Sequence, residues 1–133
     1  MKKSQTPLFV VLGAIFWFAA AMTIRFLGAT VFSANNPYLI GMFVLAFPIT
    51  CVFIIITMKI AKVKSSELLI PAVIMTYTAT FLDGIALAWF GELYGETLEI
   101  RLYGATWILW GVGVGLLLAH FLSKKIDHEI SEN

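Results

Sequence analysis

Four long runs of this chain carry almost no charge, and their spacing limits the fold more than any motif does. The charged residues gather at Lys2–Lys3, Lys59–Glu67, Glu92–Arg101 and Lys124–Glu132. The apolar stretches between these clusters are each long enough to cross a hydrocarbon core of about 30 Å as a helix rising about 1.5 Å per residue. The predicted spans are about 7–28, 38–58, 68–90 and 103–122, followed by a polar tail at 123–133. Short loops make consecutive helices antiparallel. The expected fold is therefore an all-α membrane protein, a four-transmembrane-helix bundle over 1–133 as one domain.

Composition agrees. The chain is 60% hydrophobic, where a soluble domain is nearer half. A net charge of +1 argues against a nucleic-acid partner and leaves the lipid bilayer as the first one. The single cysteine, Cys51, reads as a packed thiol and rules out an internal disulfide or a Cys-x-x-Cys site. No phosphate loop, zinc-protease helix or nucleophile elbow is present, so no cofactor, no metal and no enzymatic activity are expected.

Lysine placement gives an orientation. Lys2, Lys3, Lys59, Lys62, Lys64, Lys124 and Lys125 fall on one side of the bundle, and Arg25 and Arg101 on the other. The positive-inside rule then predicts that both termini are cytoplasmic (N-in/C-in). The first span also admits a signal-peptide reading, since Ala19-Ala20-Ala21 resembles a small-residue cleavage site.

Polar residues inside the spans point to a site. Asp83 lies deep in the third span, where a lone carboxylate is costly. Thr76, Thr80 and Asp83 recur at i, i+4 and i+7 and so share a helix side, with Tyr77 on the neighbouring strip. Spans one and three run parallel. Arg25 stands about 27 Å along its span and Asp83 about 22 Å along its own. That matched depth predicts an Arg25–Asp83 ion pair, either a structural lock or part of a small polar cavity. Arg25 reaching the headgroups is the competing reading. Pro48 predicts a kink in the second span. Tyr103, Trp107 and Trp110 read as an interfacial aromatic belt. Gly111-x-x-x-Gly115 is a helix-packing motif and the candidate interface of an oligomer. His120 reads as an interfacial residue, and Gly91–Arg101 as a solvated loop or short surface helix.

Three stretches resemble a group of short bacterial integral membrane proteins with four spans and no assigned function. They are Phe16-Trp17-Phe18-Ala19-Ala20 with Arg25-Phe26-Leu27-Gly28, then Phe81-Leu82-Asp83-Gly84-Ile85-Ala86-Leu87-Ala88-Trp89-Phe90, and Leu102-Tyr103-Gly104-Ala105 leading to Leu109-Trp110-Gly111. The resemblance implies the four-span fold and a bacterial inner-membrane location. Small multidrug exporters are similar in size, but the glutamate of their first span is missing here. Two function classes follow. One is a non-enzymatic accessory subunit, possible within a larger membrane complex, or a small-ligand-binding bundle. The other is a solute or ion transporter or channel acting as a homo-oligomer. Arg25, Asp83, Thr80, Thr76 and Tyr77 are the candidate site residues for both.

Overall fold

The computed structural model describes the backbone of residues 5–132 and the side chains of residues 5–124. Lys2, Lys3 and the side chains of Lys125 and the tail lie outside the described residues. Four helices make up the fold: α1 (Thr6–Val31), α2 (Pro37–Ala61), α3 (Leu69–Trp89) and α4 (Leu98–Glu132). All four are long and apolar enough to cross a membrane, α4 through Leu98–Lys124. No strand occurs among the described residues. The outward faces are apolar too, with Phe26, Ile40, Phe81 and Leu109 exposed, as lipid contact requires.

Local chemistry sets the helix ends. Pro7 sits in the first turn of α1, where its missing N–H costs nothing. Asn36 caps α2, its side chain accepting from the Tyr38 N–H at 2.9 Å. Lys62 ends α2 in a left-handed conformation, the usual way to satisfy a helix C-terminus. α3 is entered from a 3-10 turn at Ser65–Glu67, with no side-chain cap on the helix itself. The only non-helical backbone inside α1 is at Gly28 (φ 43°, ψ −134°), which a residue with a Cβ adopts only under strain. α2 runs as one helix through Pro48.

The helices alternate in direction, yet the closest packing joins parallel partners, α1 with α3 and α2 with α4. α3 also meets α4, and α1 meets α2, so the order around the bundle is α1, α3, α4, α2. Lipid tails are as apolar as leucine, so close backbone approach and interhelical hydrogen bonds hold such a bundle. Gly13 brings α1 against the backbone of α3: a Cβ there would stand 2.8 Å from the Met75 carbonyl oxygen. At one end Gln5 Nε2 donates to the Ala61 carbonyl (2.6 Å) and Ser123 Oγ to the Ser65 carbonyl (3.2 Å). At the other end the Ala34 N–H donates to Glu99 (2.9 Å).

The buried core falls into two tiers. One, near the Glu99 end, contains Ala21, Ile24, Phe32, Met42, Ala86 and Tyr94. The other, near the lysine-rich end, contains Phe9, Leu12, Ala61, Leu68, Ile74 and Ala119. Trp107 of the expected aromatic belt faces the core, while Trp110 is exposed. Trp107 is 6% exposed and donates to the Met42 carbonyl (3.0 Å), and Trp110 donates to the Phe43 carbonyl (2.9 Å). Cys51 is exposed on the outer face, not packed.

Candidate functional site

Between the two tiers lies a chamber of about 180 Å³ to which all four helices contribute. Phe16, Trp17 and Ala20 come from α1, Thr50 and Phe53 from α2, Thr76 and Asp83 from α3, and Trp107, Gly111 and Gly115 from α4. The Phe16 and Phe53 rings stack at 4.4 Å across the α1/α2 seam. Apart from Asp83 and the threonine hydroxyls the walls are apolar or aromatic, and no Lys, Arg or His is among the lining residues.

Asp83 is 8% exposed and Tyr94 fully buried. Tyr94 Oη donates to Asp83 Oδ1 at 2.5 Å, and Trp17 Nε1 donates to Tyr94 Oη at 2.9 Å. A short 3-10 turn makes this possible. α3 stops at Trp89, and Gly91–Leu93 folds back, closed by Tyr94 N–H to the Gly91 carbonyl (3.0 Å). The phenol is thereby carried down against the carboxyl. Burial, and then the bond to Asp83, push the Tyr94 hydroxyl above its ordinary value of 10.0, so it stays a donor.

The expected Arg25–Asp83 ion pair is not formed. The Arg25 guanidinium instead donates to the main-chain carbonyl of Glu92. Gly13 lies against Met75, so the same register carries Arg25, twelve residues on, to the level of Leu87. That is about one helical turn, roughly 6 Å, beyond Asp83. Tyr94 fills the interval. A neutral phenol satisfies the carboxyl without the desolvation of a second charge.

The other predicted residues divide between two faces. Thr76 shares the chamber with Asp83. Thr80 is exposed, and Tyr77 is exposed with its ring 6.3 Å from Phe81, both away from the chamber. Thr80 lies 40–60° around the helix from Thr76 and Asp83, at about 100° per residue, and that rotation is enough to turn it outward. Gly111 and Gly115 do not hold helices in contact. A Cβ on Gly111 would meet nothing within 4 Å, and one on Gly115 only the Thr50 methyl at 3.8 Å. Their missing side chains make room in the chamber.

Trp17 and Tyr94 are not among the site residues expected from the sequence. Trp17 carried a usable signal: a mid-span indole needs an acceptor for its N–H. Tyr94 sits among the glutamates of a connecting segment, and nothing in the sequence marks it as buried. Among the described residues no three His, Cys, Asp or Glu side chains come together.

Residues 31–126, well over half of the chain, match the model of a "Family of unknown function (DUF5367)". The match takes in Asp83, Tyr94 and the chamber walls of α2, α3 and α4. A search of curated proteins gives no match, and neither does a search of solved structures.

Proposed function

The chain belongs to that family of unknown function, and from its own geometry we propose that it is a non-enzymatic membrane protein that binds a small lipophilic amine in the chamber. The observation that carries this is a buried carboxyl facing aromatic walls with no cation of the chain's own among the lining residues. A desolvated carboxylate favours a cation, and Phe16, Trp17, Phe53 and Trp107 among the lining residues supply the aromatic surroundings that suit an ammonium group. Volume gives the scale of the ligand: an apolar cavity of about 150 Å³ holds benzene, and this one is about 180 Å³. Benzylammonium is of that scale. The tiers above and below support binding over conduction, because a transporter would have to open one of them.

Binding is tested by titrating the purified protein with benzylamine, benzyl alcohol and toluene while following tryptophan fluorescence. Benzylammonium is expected to bind at least tenfold more tightly than the two neutral probes. Asp83→Asn is expected to erase that preference. Equal binding of all three would leave an apolar cavity without cation selection and sink the proposal.

The lysine asymmetry supports a plasma-membrane orientation with both termini in the cytoplasm, and the resemblance to short bacterial proteins supports the inner membrane. A C-terminal fusion to green fluorescent protein should then fluoresce, and the same fusion to alkaline phosphatase should be inactive. The reverse pattern would invert the orientation.

A further inference from the structure

A second site lies outside the chamber, at the end of the bundle opposite the lysines. There Arg25 and Arg101 border one open groove of about 810 Å³. They reach the Gly91–Leu93 turn from two sides. Arg25 donates to the Glu92 carbonyl. The Arg101 side chain lies over Gly91, where a Cβ would be 3.0 Å from its Cδ, Nε and Cζ, and its Nε donates to the Gly95 carbonyl at 2.8 Å. Both guanidiniums are therefore held by main-chain oxygens. Among the described residues neither forms an ion pair, although the Glu92 carboxylate is also on the groove.

Two fixed guanidiniums facing one space, with a single acid beside them, leave a net positive site. Arginine forks match phosphate oxygens in shape and number of donors. The rest of the groove is apolar. Phe18 and Met22 of α1 and Leu87 of α3 continue from the arginines along the α1/α3 seam, and Trp89 stands exposed at the rim. A free anion would gain nothing from that wall. An anion carrying acyl chains would place them there.

We propose that this groove binds one anionic phospholipid, its phosphate on Arg25 and Arg101 and an acyl chain along Phe18, Met22 and Leu87. The site is independent of the amine chamber. It also accounts for an arginine at the end of α1 that turns away from Asp83.

The test is native mass spectrometry of the full chain in neutral detergent with added phosphatidylglycerol, phosphatidylcholine or inorganic phosphate. Phosphatidylglycerol is expected to be retained about tenfold more than phosphatidylcholine. Arg25→Gln and Arg101→Gln should each lower that preference several-fold, while Lys59→Gln, at the far end, leaves it unchanged. Should a variant fail to fold, the wild-type protein still decides the matter, because retention should fall steeply as salt is raised. Equal retention of the two lipids, insensitivity to salt, or full retention by folded arginine variants overturns the proposal. Displacement of phosphatidylglycerol by inorganic phosphate at equal concentration would make this a free-anion site and overturn the lipid assignment.

Discussion

Tyr94 makes the chamber's acid tolerable. Its hydroxyl donates to Asp83 and accepts from Trp17, so Tyr94→Phe strands two buried polar groups at once. Leaving such groups unsatisfied costs on the order of 1–3 kcal/mol each. A clear fall in the thermal unfolding midpoint in detergent is expected, whereas Asp83→Asn keeps an acceptor and should lose much less. The pH dependence has a definite sign. Burial, then the Asp83 bond, raise the Tyr94 hydroxyl above 10.0, so the neutral form is favoured in the folded state. Its contribution to stability is complete below the ordinary tyrosine value and is lost as pH rises above it, when unfolded chains ionise. An ultraviolet titration of the wild type minus that of Tyr94→Phe should show no tyrosinate where a free tyrosine has already ionised. Asp83 was legible in the sequence because a charge inside an apolar run stands out against its neighbours. Its partner was not, because Tyr94 lies eleven residues on and reaches Asp83 only through a turn whose direction no local pattern encodes.

At the level of the helices, number and approximate extent followed from the apolar runs alone, but the packing positions did not. Gly111-x-x-x-Gly115 has the spacing of a contact motif, yet spacing reports only that two small residues share a face. It does not say whether that face meets a helix, lipid or empty space. Gly13, which no motif marks, carries a helix-to-helix backbone contact. Its would-be Cβ meets backbone atoms of Met75 that cannot turn aside. Gly13→Ala should therefore force α1 away from α3 and cost about 1–3 kcal/mol, as overpacking does, read as a lower unfolding midpoint. Gly111→Ala should behave in the opposite way. Its Cβ enters open space, and replacing a glycine inside a helix is worth roughly 0.5–1 kcal/mol. The same change narrows the chamber, so the protein should be more stable and bind benzylammonium less well.

For the molecule as a whole, short loops determined the alternation of the helices, while the pairing of α1 with α3 and α2 with α4 depends on side-chain fit across non-consecutive elements and was not readable in advance. The same applies to the division of the core. Apolar residues are spread through every span, so composition gives no hint that burial concentrates at the two ends and leaves a space between. This division separates the residues that keep the chain folded from those that decide what it holds. A saturation library should show two bands of intolerance, around Phe9, Leu12 and Leu68 and around Ile24, Phe32 and Tyr94. The middle of the lining, around Thr50, Thr76 and Gly111, should accept substitution. Selectivity could then be re-cut over generations without putting folding at risk, and descendants of one scaffold could come to hold quite different guests.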